Sequence, residues 1–583
     1  MPYKNLTSEQ WDAVKYEGNL LLTACPGSGK TKTLVSKLCY LLDEREVSGG
    51  GKRKIIALTY TNIAAETIYE RLMSFGVDTK NLWIGTIHSF CLNWIVKPNV
   101  DRISRLSKGF NVIDEHEKGF IINELKEKYG LGFFDKVITS LTHDFRYQYS
   151  KNNIEFNLVK DYHSYLYSNR LIDFDLILNL TLKLLNNNAS LCQRLSLLFS
   201  HILIDEYQDT SLLQYEILRA IYTEKNNTIT LIGDKEQAIY TGLGAVVKDI
   251  KELSDYFGIV NLTGMNLTGC FRSSQSIVDF YSKYKDSKLK INSLSKLKDF
   301  KSVIYKESSI DKSQLANYVH EIINIHLKQG ISPSEIAVLC PSWFDVINLS
   351  SEILLLSDDL KIDGVTISPI PKNSENIWLN LVKLLLIKRV PSNFIMRQKI
   401  LNELVSDLSI QSLNTIIYSS KSILTKVNQL ALNSQYDVTV EVWLKKIIVD
   451  FCSFLHLDLT KGTFLYNEMD LLINATTKRI KKYSMVNKAS DLSLFFNSRA
   501  GVKITTCHST KGDEYEVVIC TGLLNGKIPH WNDIFNQSRE HSDYVARRIL
   551  YVVSSRAKKH LYLISEQGHK TKRGYPYDVT PQL

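Results

Sequence analysis

A glycine-rich octet near the start of the chain has the composition and spacing of a phosphate-binding loop. It reads Ala24-Cys25-Pro26-Gly27-Ser28-Gly29-Lys30-Thr31, between an apolar run at 19–23 and a helix-like run at 32–42. In such a unit, backbone N–H groups converge on phosphate oxygens and the helix N-terminus adds partial positive charge. Lys30 is predicted to reach the β- and γ-phosphates of a nucleoside triphosphate, and the Thr31 hydroxyl to ligate Mg²⁺. The first position of the octet is Ala24, where the strict phosphate-loop pattern has glycine. The alternative is therefore a plain strand-to-helix loop.

Two adjacent carboxylates, Asp205 and Glu206, follow the apolar run Ile202-Leu203-Ile204. If this run is a strand, both carboxylates lie at its carboxyl end, at the sheet edge where the loop is expected. Asp205 can then hold Mg²⁺, directly or through water, and Glu206 can orient and deprotonate a water that attacks the γ-phosphate. The alternative is a strand that ends in a polar turn. Both motifs in one chain favour hydrolysis of a nucleoside triphosphate.

Apolar strand-like runs alternate with helix-like runs twice along the chain, which predicts two parallel α/β sheets that position these groups. The predicted strands are 20–23, 54–61, 82–86, 200–205 and 228–233, then 302–306, 335–340, 364–368, 502–506, 515–521 and 560–565. A mainly helical insertion interrupts each set. The predicted limits are 1–98 and 169–262 for the first α/β domain, 99–168 for its insertion, 263–390 and 491–583 for the second domain, and 391–490 for its insertion.

The composition restricts the class of protein. The 583 residues include 71 Lys+Arg and 61 Asp+Glu, a net charge of +10, which suits a polyanionic partner. Nine cysteines form no C-x-x-C pair and no zinc-type cluster with histidine, as is typical of a reduced intracellular protein. No secretion signal or membrane-spanning run is recognisable. We therefore expect a soluble, cytoplasmic protein with no membrane partner.

The carboxylate pair belongs to Asp205-Glu206-Tyr207-Gln208-Asp209-Thr210, which resembles the D-E-x-Q-D motif of UvrD/Rep/PcrA-like superfamily 1A DNA helicases. Other stretches resemble further motifs of that family, in order and over nearly the whole chain: 6–10, 57–62, 85–90, 233–240, 270–274, 506–515 and 547–557. The resemblance implies two RecA-like P-loop NTPase domains. It also implies an ATP-dependent helicase or translocase that uses ATP and Mg²⁺ and moves 3′ to 5′ on single-stranded DNA.

The resemblance extends the catalytic set beyond Lys30. It implies that Gln237 bonds the γ-phosphate or the attacking water, and that Arg272 and Arg556 act as arginine fingers from the second domain. Closure of the two domains would then be coupled to hydrolysis. The alternative for either arginine is a surface salt bridge.

Four further residues are implied to hold the nucleotide. Gln10 would read the adenine edge, although Thr7-x-x-Gln10 also fits a helix capping box. Phe271 would stack on adenine in place of the family's tyrosine, and Lys32 would pack beside the base. Glu514 would contact the ribose, with an ordinary surface glutamate as the alternative.

A single-strand track is implied across both α/β domains, because non-specific binding needs phosphate contacts and flat faces for the bases. The candidates are polar or aromatic residues near strand ends: Tyr60, Thr61, Asn62, Thr86, His88, Tyr240 and His508. The alternative for the two tyrosines is packing in the core. The alternative for the two histidines is a structural hydrogen bond.

One stretch departs from the family pattern. Where the family continues with x-[FW]-R-G-A, this chain has Thr241-Gly242-Leu243-Gly244-Ala245. Loss of a base-stacking platform costs roughly 1–3 kcal/mol. Two functions therefore stay open: a helicase, or a DNA-stimulated ATPase switch that senses DNA ends or nucleotides and activates a nuclease without processive unwinding.

The partner expected in every case is single-stranded or partly duplex DNA. The chain shows no nuclease-type carboxylate–lysine cluster after Arg556. Its compact size resembles the helicase subunits of two-gene antiphage systems such as Gabija. That resemblance implies a separate nuclease subunit as a second partner.

Overall fold

The computed structural model describes most of the chain at the level of individual residues. The described ranges are 5–47, 53–113, 115–132, 135, 137–240, 244–356, 360, 362–363, 368–371, 376–390, 393–411, 418–434, 436–482, 487–496, 501–535, 538–571 and 573–583. The departure at Thr241–Leu243 and most of the predicted strand at 364–368 therefore lie outside the described residues.

The strands of the described residues are numbered β1 to β16 in chain order. They are Leu20–Ala24, Lys54–Thr59, Leu82–Thr86, Asn111–Val112, Leu171–Ile172, Phe199–Asp205, Thr228–Gly233, Thr263–Leu267, Gly269–Cys270, Asn292–Ser293, Ile304–Glu307, Ile336–Cys340, Ile362–Asp363, Val502–Thr506, Tyr515–Cys520 and Ala557–Ile564.

The α-helices of the same residues are numbered α1 to α21. They are Ser8–Lys15, Lys30–Val47, Asn62–Ser74, Ile87–Phe90, Glu115–Lys128, Ile154–Ser168, Phe174–Asn186, Ala189–Leu198, Leu212–Ile221, Ile250–Phe257, Gln275–Tyr281, Leu315–Lys328, Trp343–Leu356, Ile377–Leu386, Phe394–Gln411, Ser420–Asn433, Val440–Leu455, Phe464–Lys482, Ser493–Phe496, Trp531–Phe535 and Arg539–Ser554. None of these helices is both long and apolar enough to cross a lipid bilayer.

The first large sheet has the strand order β3-β2-β6-β7-β1-β8 among the described residues, and all of its strands are parallel. Its strands are almost continuously buried, as a parallel sheet covered on both faces requires. The five predicted strands are present within two residues of their predicted limits. The sheet also contains β8, which pairs with β1 along its whole length. It therefore continues past residue 262, where the first domain was predicted to end.

The second large sheet has the order β11-β16-β15-β12-β14-β13 and is also parallel. Alternate residues of β12 pack into two different cores: Ala337 and Leu339 face the helices α11 and α21, whereas Ile336 and Val338 face α12 and α13. Helices therefore cover both faces of this sheet. Two parallel sheets flanked by helices confirm the predicted α/β class of RecA-like type.

The chain divides into two compact units. An α/β unit, Met1–Ile87, Ala189–Thr366 and Arg499–Leu583, contains both large sheets. A helical unit combines His88–Asn188 with Ile367–Ser498. It has a core of its own, built around the buried Trp378 of α14 and Trp443 of α17. Both predicted insertions thus lie in one compact unit, which extends beyond the predicted limits 99–168 and 391–490.

Two neighbouring histidine rings, one on α12 and one on the second sheet, make the stability of the α/β unit depend on pH. The rings of His326 in α12 and His560 in β16 lie 4.8 Å apart. Burial, His326 and Lys559 lower the pKa of His560 to about 4, against the opposing effect of Glu516. The folded state therefore binds this proton less readily than the unfolded state. The stabilisation is complete above the ordinary histidine pKa of about 6.5 and is lost as the pH falls towards 4.

We expect the unfolding free energy to fall by about 1 kcal/mol between pH 7 and pH 5 because of His560, allowing for the solvent screening of a half-buried ring. The H560N variant should lose this part of the pH dependence in denaturant titrations. The H541N variant changes a partly exposed histidine of the same unit and serves as the control. Equal pH profiles for H560N and the unmodified protein would contradict the prediction.

Candidate functional site

The phosphate-loop candidate, Ala24–Thr31, joins the end of β1 to the start of α2. Gly27 and Gly29 have φ of +72° and +77°, a region in which a side chain is strained. A Cβ at Gly27 would also lie only 2.6 Å from the Cβ of Arg272. The loop backbone therefore requires glycine here. Its Gly27 carbonyl accepts a 2.8 Å hydrogen bond from the Phe271 N–H, which joins the loop to the segment that carries Arg272.

Lys30 and Glu206 form the centre of the site. The Lys30 Nζ lies 2.7 Å from the Glu206 Oε1, and both side chains are largely buried. Burial disfavours both charges. The carboxylates of Glu206 and Asp205 nevertheless raise the pKa of Lys30, and Lys30 and Lys511 lower the pKa of Glu206. A charged lysine at the start of α2 and a charged glutamate directly after β6 are thus held together.

Asp205 has the opposite electrostatic environment. Burial and the adjacent Glu206 raise the pKa of its carboxyl group to about 7. Its Oδ1 accepts a 3.1 Å hydrogen bond from the backbone N–H of Glu206. A bound cation would stabilise the charged form of Asp205, because its positive charge would offset both the burial and the repulsion from Glu206.

The backbone of Glu206 is itself unusual, with φ +56° and ψ +45° in the left-handed region. Such a conformation costs of order 1 kcal/mol or more for a residue with a side chain, and it is common at functional sites. The Gln208 Nε2 donates to the Glu206 Oε2 at 2.5 Å. The Gln208 Oε1 accepts from the Asp234 N–H at 3.0 Å. Gln208 thereby fixes the glutamate and connects the ends of β6 and β7.

Gln237 and Arg556 meet directly although they are 319 residues apart. The Arg556 Nη2 donates to the Gln237 Oε1 at 2.8 Å, and the Gln237 Nε2 donates to the Asp234 carboxylate at 2.9 Å. Arg556 is only 2% exposed. Its burial and the nearby Arg272 lower its pKa to about 10, so it stays cationic at neutral pH. Both ends of the Gln237 amide are therefore oriented by charged groups.

Arg272 and Glu514 also contact each other. The Arg272 Nε lies 2.8 Å from the Glu514 Oε2, and its Nη1 donates to the Ser555 carbonyl at 3.0 Å. Glu514 is further bonded by Lys558 at 3.4 Å. Burial opposes the Glu514 charge, but Arg272 and Lys558 lower its pKa. Phe271, beside Arg272, leaves 42% of its surface exposed and so presents a free aromatic face near the loop.

Lys511, which follows β14, is a site residue that the sequence assignment omitted. Its ammonium contacts the Asp209 carboxylate, lies 3.7 Å from the Glu206 Oε2 and donates to the Gln237 carbonyl at 3.0 Å. Asp209 is buried, and burial raises its pKa to about 6. Lys511 thus connects the second sheet to two of the three carboxylates of the D-E-x-Q-D segment, Glu206 and Asp209. Its position within the motif at 506–515 could have identified Lys511 as a site residue from the sequence.

Gln10 satisfies the capping alternative and also contacts the loop. Thr7 and Gln10 form a reciprocal capping box at the start of α1, with the Thr7 N–H donating to the Gln10 Oε1 at 3.1 Å. The Gln10 Nε2 donates to the Ser28 carbonyl at 2.9 Å. The side chain is buried against the loop, so one amide serves both the helix and the loop. Lys32 lies nearby on α2 and donates to the Asn5 carbonyl at 2.6 Å.

The residues present fit Mg²⁺ bound together with a nucleotide. Thr31 lies in the first turn of α2, and Asp205 ends β6. The buried Ser28 hydroxyl has no hydrogen-bond partner, which leaves a polar group in the loop unsatisfied. The described residues contain no group of three or more metal-binding side chains. Mg²⁺ commonly takes only one or two protein oxygens and completes its shell with phosphates and water.

The aromatic DNA candidates of the α/β unit lie in the segments that follow β2, β7 and β14. Tyr60 follows β2, and its ring stacks on Tyr240 at 5.1 Å with 25° between the planes. The Tyr240 hydroxyl donates to the His508 carbonyl at 3.1 Å. Burial lowers the pKa of His508. These three side chains form one surface between the two sheets, and Tyr60 remains 43% exposed.

The other candidates are more dispersed. Thr61 caps α3 by accepting from the Ala64 N–H at 3.2 Å, and Asn62 is exposed as the first residue of that helix. Thr86 ends β3. His88 belongs to the helical unit, where its ring packs edge-on against Phe174 at 5.6 Å and burial lowers its pKa. Thr61 and His88 therefore have structural contacts of their own.

Comparison with known proteins identifies the family. Residues 6–258 match the family model of the UvrD/REP helicase N-terminal domain, and residues 464–568 match that of the UvrD-like helicase C-terminal domain.

The chain is similar to an ATP-dependent DNA helicase PcrA of Staphylococcus epidermidis, with 24% identity over 626 residues that cover 96% of this chain and 83% of the relative. It is also similar to an ATP-dependent DNA helicase PcrA of Staphylococcus aureus, with 24% identity over 641 residues that cover 98% and 84%. The two family matches together span more than half of the chain and enclose the loop, the carboxylate pair and the second-sheet arginine Arg556. The chain therefore belongs to the UvrD/Rep family of helicases.

Proposed function

We propose that this chain is an ATP-dependent DNA helicase that couples hydrolysis to movement of its two RecA-like domains along a single strand. One observation carries the proposal: a single polar network joins the loop and strand ends of the first sheet to arginine and lysine side chains of the second. Lys30, Glu206, Gln237, Arg556 and Lys511 all belong to it. Hydrolysis in such a network changes the contacts that hold the two sheets together.

Each residue has a distinct chemical task in this proposal. Lys30 and the loop N–H groups bind the phosphates. Thr31 and Asp205 would hold Mg²⁺, which would supply positive charge against the negative phosphate oxygens. Glu206, oriented by Gln208, accepts the proton of the attacking water. Gln237 positions that water or the γ-phosphate. Arg272 and Arg556 stabilise the charge that develops in the transition state.

The nucleotide base and ribose would be held by the residues beside the loop. Phe271 offers an exposed ring for stacking, and Lys32 lies on α2 directly after the loop. Glu514 can accept from the ribose hydroxyls only by sharing its carboxylate with Arg272. Gln10 contacts the loop carbonyl at Ser28, so we propose that it senses adenine and loop position together.

The proposed DNA track uses Tyr60, Tyr240 and His508 at the junction of the two sheets, with Thr61, Asn62, Thr86 and His88 as phosphate or sugar contacts. Because Lys511 also lies over the Tyr240 ring at 5.5 Å, the same lysine touches the track and the ATP site. Bound DNA can thereby affect hydrolysis. We propose movement from 3′ to 5′, the polarity that the family resemblance implies.

A second function is favoured by one sequence feature. Gly242 and Leu243 replace the aromatic and arginine residues of the family pattern, which removes a stacking platform. The chain could then act as a DNA-stimulated ATPase switch that activates a separate nuclease subunit, as in antiphage defence. Strand displacement separates the two functions: DNA-stimulated hydrolysis without displacement, with and without such a nuclease, would support the switch and reject the helicase.

The K30A variant tests the ATP site in the same assays. We expect DNA-stimulated hydrolysis to fall by about 100-fold or more, because a preorganised cation at the phosphates is removed. Affinity for a fluorescent ATP analogue should also fall. K225A, which changes an exposed lysine of the same unit, should behave like the unmodified protein. Hydrolysis by K30A at the normal rate would reject the assignment of the loop.

A further inference from the structure

A lysine-rich segment follows Arg272 and has no role in the proposed site. This lysine segment, residues 283–301, contains seven lysines and two aspartates. Six of the lysines are exposed, namely Lys283, Lys288, Lys290, Lys296, Lys298 and Lys301. In the part of the chain that the structure describes, none of the six forms a salt bridge with a carboxylate. Lys285 differs, because its ammonium turns inward to the carbonyls of Ser287 and Leu289.

The acidic residues of the segment do little to neutralise this charge. Asp286 accepts from Arg547 at 2.8 Å and from Arg548 at 2.6 Å. Its negative charge is therefore already balanced by two arginines of α21. Asp299 is the remaining carboxylate of the segment against six exposed ammonium groups. The surface carries a strong local excess of positive charge.

The backbone beneath these lysines is well bonded. The Leu294 N–H donates to the Cys270 carbonyl at 2.7 Å, and the Gln275 N–H donates to the Lys298 carbonyl at 3.0 Å. The hydroxyls of Ser293 and Ser295 donate to the carbonyls of Ser273 and Arg272, at 2.6 and 3.3 Å. The lysine segment is thus anchored on both sides of Arg272. The backbone that carries the lysines is held in place, which lowers the entropic cost of binding a polyanion.

The chemistry of the surface favours a phosphate backbone over a protein. Protein interfaces are depleted of lysine and enriched in aromatic side chains. In this segment Tyr284 is buried, and the exposed apolar side chains are Leu289 and Leu294, at 40% and 50% exposure. Flexible ammonium groups bind repeated phosphates without regard to sequence. The ordinary alternative is a solvated surface that binds nothing.

We propose that the lysine segment is a second contact for the phosphate backbone of DNA, apart from the track at Tyr60, Tyr240 and His508. This inference rests on the proposed function, since it assumes that the chain acts on DNA. In this proposal a short single strand fills the track alone. A longer strand or a tailed duplex would contact both surfaces.

The test compares two variants with the same change in net charge. The cluster variant carries K288Q, K290Q, K296Q and K298Q. The control carries K225Q, K251Q, K312Q and K328Q, which are exposed lysines scattered over the same α/β unit. Binding of a 12-nucleotide oligothymidine, of a long single strand and of a 3′-tailed duplex is measured by fluorescence anisotropy over a range of salt concentrations.

Each lost phosphate contact should reduce the slope of log affinity against log salt by about 0.9 on duplex and about 0.7 on a single strand. We expect the cluster variant to lose about two such contacts on the long single strand or the tailed duplex, with at least about tenfold weaker binding. A reduced salt slope on the long single strand would identify single-stranded DNA as the source of the phosphates, and a reduced slope on the tailed duplex alone would identify the duplex. The control variant and the 12-nucleotide probe should show no such change.

Equal salt slopes for the cluster and control variants on every probe would overturn the inference. So would a change in the oligomeric state of the cluster variant with unaltered DNA affinity, because the surface would then be a protein interface. The proposed function fails separately, if the unmodified protein shows neither DNA binding nor DNA-stimulated hydrolysis. A DNA-stimulated protein with an unchanged cluster variant would leave the function standing and reject the lysine segment alone.

Discussion

Replacing Glu206 with glutamine is expected to reduce ATP turnover by about 10²–10⁴-fold, the range for loss of a general base. Glutamine keeps the shape of the side chain and the hydrogen bond from Gln208, but it cannot accept the proton of the attacking water. It also removes the negative charge 2.7 Å from Lys30, which leaves that ammonium freer to bind phosphates. ATP should therefore remain bound. Steady-state phosphate release and the affinity for a fluorescent ATP analogue measure the two effects.

The control for E206Q is E516Q. Glu516 pairs with Lys559 at 2.9 Å on the second sheet, so its loss removes one ion pair without touching the site. E516Q should hydrolyse ATP at nearly the normal rate. Normal turnover by E206Q would mean that another group takes the proton. Turnover lost together with nucleotide affinity would indicate a binding role instead.

The R556K variant is expected to lose about 10³-fold or more in kcat, the effect typical of an arginine finger. Lysine keeps the charge but cannot reproduce the planar guanidinium, which bonds Gln237 through Nη2 and the Val552 carbonyl through Nε. ATP binding should change little, because the loop and Lys30 remain. DNA should stimulate hydrolysis much less, since the hydrogen bond from Arg556 to the Gln237 amide oxygen is broken and only the Lys511 contact to the Gln237 carbonyl remains.

R556K also needs a check of the fold, because Arg556 is buried. A thermal unfolding midpoint close to that of the unmodified protein would show that the loss is catalytic. R219K, which alters an exposed arginine paired with Glu216 at 2.9 Å, is the matched control and should retain full activity. A kcat within a few-fold of normal for R556K would reject the finger assignment and leave Arg272 as the remaining candidate.

The sequence by itself was enough to predict the loop, the carboxylate pair and the two parallel sheets. Short stretches of sequence predict each of these features: glycines beside Lys30, an acidic pair after an apolar run, and strand-length apolar segments separated by helices. The ends of parallel strands meet at one sheet edge, so the residues after β1, β6 and β7 had to lie together. The family motifs could be recognised before any contact was known, because each is a short contiguous stretch of sequence.

Only the tertiary structure decided which groups contact one another. Lys511 meets Asp209 across 302 residues and Arg556 meets Gln237 across 319, and no local pattern encodes such pairings. β8, Thr263–Leu267, pairs with β1 in the first sheet although only Met265 and Leu267 of its five residues are apolar, which makes a weak strand pattern. The two insertions proved to share one compact unit. Long-range packing sets these outcomes, because each depends on surfaces that exist only after the separate segments have folded.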